Sequence, residues 1–182
     1  MIINKAYVFL KDKKNISTLE EMIKSTFSDI EFYSDGQTIT LSTLNNEAFH
    51  IQLVKLHHLA LSDMNMDVSF FIVPFFDKVF YKYFKYINNE VCTAYEVFSR
   101  NVNVESVKKD CKEIVNSISK KDLDTIQAFL MCNGNSCITA NELYLHRNSF
   151  NYRMNSFINN TSMDIRDLNT IMFIKLILSI NK

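Results

Sequence analysis

The spacing of apolar residues along the first part of the chain changes period several times. Lys5–Leu10 is a short apolar run of strand length. In Ser17–Phe27, Leu19, Met22, Ile23 and Phe27 recur at helical offsets, and Ser17 and Glu20 stand in capping-box register, so a helix follows the strand. Ile30–Tyr33 and Thr38–Leu44 flank Asp35-Gly36, a dipeptide that accepts the positive φ angles of a tight turn, and this predicts a β-hairpin. Phe49–Leu56 alternates apolar with polar and reads as a further strand, on which the adjacent His57 and His58 would face opposite sides and share no site. Val68–Val73 is apolar throughout except Ser69 and stops before Pro74, the pattern of a strand covered on both faces. Helical spacing returns at Asp77–Ile87 and Asn103–Ile118, and a domain boundary is expected near Ser117–Lys121.

Beyond that boundary every segment is helical in period. Leu123, Ile126, Phe129 and Leu130 define one helix, which stops at Asn133-Gly134. Asn135 or Ser136 caps a second, short helix with Cys137, Ala140 and Leu143 inward. After a turn at Tyr144–Leu145, a third helix runs from about His146 to Ile158, and Leu168–Ile180 forms the fourth. The fold class is therefore α+β: an N-terminal mixed α/β domain over 1–118, then an all-α helix-turn-helix domain over 119–182.

The third helix carries the candidate chemistry. At 100° per residue, Phe150, Met154 and Phe157 fall within about 60° of one another, while Asn148, Asn151, Tyr152 and Asn155 cluster opposite, with Arg147 at their edge. Amides, an arginine and a tyrosine replace the Glu/Lys mixture of an ordinary solvated face. Asn suits an adenine edge, Arg a guanine edge or a phosphate, and Tyr a phosphate oxygen. The expected contact set on double-stranded DNA is Arg147, Asn148, Asn151, Tyr152, His146, Asn155 and Arg153. Two members carry alternatives: His146 either meets a phosphate or caps the helix, and Arg153 either meets a phosphate or pairs with a carboxylate such as Glu142.

Composition narrows the other possibilities. The chain has 20 Lys/Arg and 20 Asp/Glu, so no global field announces a nucleic-acid or membrane partner. Residues 119–182 hold 7 basic against 5 acidic side chains, a slight local excess. Four cysteines are too few for a disulfide scaffold, and Cys132 and Cys137 lack the further ligands of structural zinc, so they read as buried free thiols. Asn4 and Lys5 interrupt any N-terminal apolar core, and no apolar run approaches the ~18 residues of a membrane span, so a cytoplasmic protein with no membrane contact is expected. With glycine only at Gly36 and Gly134, no phosphate cradle, nucleophile elbow or paired-carboxylate motif is present. Neither enzymatic activity nor a cofactor is expected.

The string Thr139-Ala140, Leu143, His146-Arg147-Asn148-Ser149-Phe150 and Tyr152-Arg153-Met154 resembles the C-terminal helix-turn-helix of the bacterial PucR/CdaR regulators, over about residues 121–181. Ser162 stands where that family usually has glycine, and Phe150 where leucine or valine is commoner. The resemblance implies a transcriptional regulator. It also implies an α/β domain related to GGDEF domains upstream; the strand, helix and hairpin at 5–44 agree with a degenerate version, of which Asp35-Gly36 is the only echo of the motif. The region is expected to bind a small-molecule effector, to make the dimer, or only to support the DNA-binding end, with the aromatic stretch Phe70–Tyr86 either lining a pocket or packing a core.

The fourth helix is apolar around its circumference, so it must pack on residues 1–118 or on a second copy, and a homodimer is expected. The rival reading is a non-enzymatic ligand-sensing or interaction protein whose helical domain serves assembly, which the neutral charge favours because phosphate contacts supply much of DNA affinity.

Overall fold

The computed structural model describes residues 3–36, 38–44, 48–75 and 77–181. They divide into two compact units, 1–100 and 101–182, so the boundary falls ahead of the expected position near 118.

Among its described residues the first unit has five strands, β1 (Ile3–Leu10), β2 (Ile30–Ser34), β3 (Thr38–Leu44), β4 (Val68–Ile72) and β5 (Val91–Thr93), in the order β2-β3-β1-β4-β5. Helix α1 (Ile16–Thr26) joins β1 to β2, and helix α2 (Phe49–Ser62) joins β3 to β4, giving the β-α-β-β-α-β arrangement of a split βαβ sheet. Val8 pairs with Ile39 on one side and Phe70 on the other, both antiparallel, while β4 and β5 run parallel. The period-two alternation of β1 sends Ala6, Val8 and Leu10 to one face, where they bury with Leu19 and Ile23 of α1 and Leu53, Leu56 and Ala60 of α2. Tyr7 and Phe9 point the other way and meet Phe84 of a 3-10 helix, Lys78–Tyr86, whose ring also meets Phe71 edge-on. Every residue of β4 is buried, as expected of a strand covered on both faces. Phe76, next to that run, lies outside the described residues.

Three local expectations change. Phe49–Leu56 is the start of α2 rather than a strand: over the longer window Phe49, Leu53, Leu56 and Ala60 recur at offsets of four and three and all are buried. The apparent alternation came from Ile51, which is 60% exposed on the outer face of the helix. His57 is consequently half-buried and hydrogen-bonded through Nε2 to Asn89 (3.2 Å), while His58 faces solvent. Asp77–Ile87 is 3-10 rather than α-helical, which brings Phe80 and Tyr83, three residues apart, onto one buried side. The aromatic stretch packs as core: Phe71, Phe80, Tyr83 and Phe98 form a chain of ring contacts. Strand β5 and helix α3 (Ala94–Arg100) have no counterpart in the expected elements.

The second unit is helical: α4 (Glu105–Ser117), α5 (Lys120–Met131), α6 (Ser136–Glu142), α7 (Arg147–Thr161) and α8 (Leu168–Ile180). Helix α4 belongs here because it packs on α8, and this is what moves the boundary. The partner that α8 required is thus within the chain. Phe173, Ile174 and Ile177 are buried, but Leu168, Lys175 and Ser179 are exposed, so α8 is not covered all round. Cys132 is half-buried and Cys137 exposed, contrary to the expected buried thiols, because one follows the end of α5 and the other begins α6 at the surface. The buried thiols are Cys92 and Cys111, and burial pushes the latter up to about 12.

The link from α7 to α8 is held by an ion pair. The Asp164 carboxylate, 6% exposed, accepts from the Arg166 backbone N–H (3.0 Å) and Nε (2.8 Å). Burial alone would raise this carboxyl, but hydrogen bonds from Arg166 and its charge outweigh that and hold it below its ordinary value. A carboxyl lowered in the folded state stabilises above its unfolded pKa of about 4 and loses that contribution as pH falls through the native value. Arg166→Met should therefore be less stable than the parent in urea denaturation at pH 7, and the difference should shrink as the pH falls below the ordinary carboxylate value and through the lowered native one. A difference that is constant with pH would refute the ion pair's role.

Candidate nucleic-acid interface

Helices α5, α6 and α7 build one small core. Ile126 and Phe129 of α5, Ala140 of α6, and Phe150, Met154 and Phe157 of α7 are all buried, with the Phe129 and Phe150 rings 6.2 Å apart. A small residue at position 140 lets α6 and α7 approach closely. Each large apolar side chain buried here contributes roughly 1.5–3 kcal/mol, so the inward face of α7 is strongly specified.

The ends of these helices are set by local hydrogen bonds. Asn135 caps α6, its Oδ1 accepting from Cys137 N–H (3.0 Å) and Ile138 N–H (3.1 Å). The Thr139 hydroxyl, fully buried, donates to the Asn135 carbonyl (2.7 Å). Residues 143–146 form the turn, with Tyr144 at φ 53°. His146 then caps α7: its Nδ1 accepts from Asn148 N–H at 3.2 Å, which fixes the remaining ring proton on Nε2. Of the two readings of His146 the cap is the one this geometry realises, and it leaves only Nε2–H to face outward.

With the apolar stripe turned inward, the remaining expected residues take the positions the helical wheel gives. Arg147, Asn148, Asn151, Tyr152 and Asn155 are exposed, Tyr152 by 73%, and His146 is exposed beside them. Arg153 is half-buried and forms no ion pair with Glu142 among the described residues. Helix α7 contains two arginines and no carboxylate. Its N-terminal end adds the partial positive charge of unpaired backbone N–H groups, so the exposed end favours an anion. Among the described residues no group of three or more His, Cys, Asp and Glu is placed to hold a metal ion, and no helix is long and apolar enough to cross a membrane.

Helix α7 runs three residues past the expected end and stops at Ser162, which adopts φ 58° and whose N–H donates to the Ile158 carbonyl (2.8 Å). This left-handed conformation is the physical reason a glycine suits the position.

A short capped helix, a four-residue turn and a second helix with a polar outward face, all on one small core, constitute a helix-turn-helix domain. The family model of the PucR C-terminal helix-turn-helix domain matches residues 122–180, so this segment, about a third of the chain, is a PucR-type helix-turn-helix domain. Among solved structures, the chain is similar to the regulator of polyketide synthase expression from Bifidobacterium adolescentis, with 11% identity and a TM-score of 0.46 over 99% of this chain and 81% of that one. No curated protein matches the chain in sequence.

Replacing Ser162 by glycine should relieve the left-handed strain and raise stability by roughly 1 kcal/mol, read as a higher denaturant midpoint at unchanged slope. A neutral or destabilising Ser162→Gly would show that the serine is held there by something other than tolerance.

Proposed function

We propose that this protein is a sequence-specific DNA-binding transcriptional regulator that reads the major groove with α7 and acts as a homodimer. The observation that carries the reading is the division of α7 into a buried Phe150-Met154-Phe157 stripe and an exposed, carboxylate-free face. Asn148 and Asn151 are assigned to base edges, for which a primary amide offers a donor and an acceptor side by side. Arg147 meets a guanine edge or a phosphate, and Tyr152, Asn155, Arg153 and His146 through Nε2–H meet the backbone. Two-fold pairing suits such a module because one copy covers only a half-site, and half-sites lie about 34–36 Å apart.

The first unit is assigned a regulatory or dimerising role without catalysis. Its β-α-β-β-α-β order and the hairpin turn at Asp35-Gly36 support kinship with a reduced GGDEF-like domain, while the acidic catalytic pattern of such domains is missing from the sequence. A regulator of this kind works in the cytoplasm, where the DNA is.

Selection from random duplexes should enrich one motif. Arg147→Ala and Asn151→Ala should each weaken binding to it by about 1–3 kcal/mol, with relaxed preference at the base each reads. Retention of unenriched sequence would instead favour the assembly role. Sedimentation at micromolar concentration should give a dimer mass, and a monomer would remove the homodimer claim.

A further inference from the structure

Tyr144 occupies the least favourable backbone position in the second unit for a residue of its size. Helix α6 ends in a paired cap: Leu145 N–H donates to the Ala140 carbonyl (2.8 Å) and Tyr144 N–H to the Asn141 carbonyl (3.0 Å). That motif requires a left-handed residue at its centre, usually glycine, and here φ is 53° on a tyrosine. The comparable end after α5 uses residues that tolerate the conformation better, Asn133 followed by Gly134, while Ser162 after α7 bears the same strain on a smaller side chain. The strain is not repaid by packing. Tyr144 is 97% exposed, so its ring covers no core.

The position in the chain supplies the purpose. Tyr144 stands two residues before the cap of α7 and three before Arg147, so its Cα lies within ~10 Å of the exposed end of the reading helix. When that end enters a major groove, the turn preceding it lies beside the phosphates bordering the groove. A phenol hydroxyl there donates to a phosphate oxygen, and the rigid ring reaches it with few rotatable bonds. We propose that Tyr144 is a further DNA contact, a clamp on a backbone phosphate flanking the site read by α7, kept at a strained position for that purpose. This rests on the DNA-binding reading above.

The test uses the full chain, the selected duplex and a random duplex in fluorescence anisotropy at several salt concentrations, together with thermal unfolding. Tyr144→Gly should raise Tm by about 2–4 °C while weakening both duplexes about three- to tenfold. Tyr144→Phe should weaken both similarly with Tm unchanged. The salt slope should stay as in the parent, because the lost contact carries no charge. A Tyr144→Gly protein that is more stable and binds at full strength overturns the proposal, as does a loss confined to the selected duplex, which would mean a base contact. A lower Tm for Tyr144→Gly overturns the strain argument. Failure of the parent to bind any duplex is failure of the underlying reading, whereas a parent that binds, with Arg147→Ala weakened and Tyr144→Phe at full strength, is failure of this proposal alone.

Discussion

The burial of Phe150, Met154 and Phe157 against α5 and α6 is the constraint on which the candidate interface depends. A helix has one rotation about its axis that hides a given stripe, and once three large side chains are committed inward the opposite face has no freedom. The exposure of Arg147, Asn148, Asn151 and Tyr152 is therefore a consequence of core packing and not a separate feature. The caps act on the same variable from the ends. Asn135 and His146 hold the starts of α6 and α7, so the turn between them is short and defined, and α7 is presented at a fixed point of the surface.

This explains why the second unit was so legible from sequence. Its helices are amphipathic at regular offsets, its stops are Asn133-Gly134 and the turn before His146, and each inward residue expected on α7 is buried. The sequence leaves undecided whatever depends on a partner element. His146 has donors and acceptors for either role, and only the 3.2 Å approach of Asn148 N–H settles the local one. Helix α8 is apolar enough to demand cover, but its sequence does not say that the cover is α4, 51 to 75 residues upstream along the chain. Period reports which side of an element is buried and is silent on what buries it.

The first unit resisted in the opposite way. Its sheet was visible where burial alternates along a strand, as in β3, and where both faces are covered, as in β4, because both states leave a simple pattern. Helix α2 was hidden because Ile51 and Val54 keep substantial exposure on its outer face, so the first eight residues satisfy a period of two as well as they satisfy 3.6. The 3-10 helix over Lys78–Tyr86 was hidden because its aromatic residues fall every three positions, which a short window cannot separate from an α-helix. Strand β5 is three residues long, too short for any period to register.

Charge bears on how the proposed interface would work. Unit 101–182 has 10 Lys/Arg and 8 Asp/Glu, counted from the sequence, an excess of 2. Counterion release scales with the phosphates neutralised, so in the proposed mode this small excess would give little non-specific affinity and a shallow salt dependence. What this unit offers in place of charge is geometry. The carboxylates are kept off α7, exposed Arg147 stands at the edge of a face otherwise made of amides and tyrosine, and the unpaired N–H groups of its first turn add a directed partial charge. A surface built this way gains by matching particular base edges more than by attracting duplex in general, which favours discrimination over raw affinity. In the proposed homodimer, pairing two such surfaces would restore affinity without adding a general attraction to DNA, since the second contact would be made at the high effective concentration set by the first.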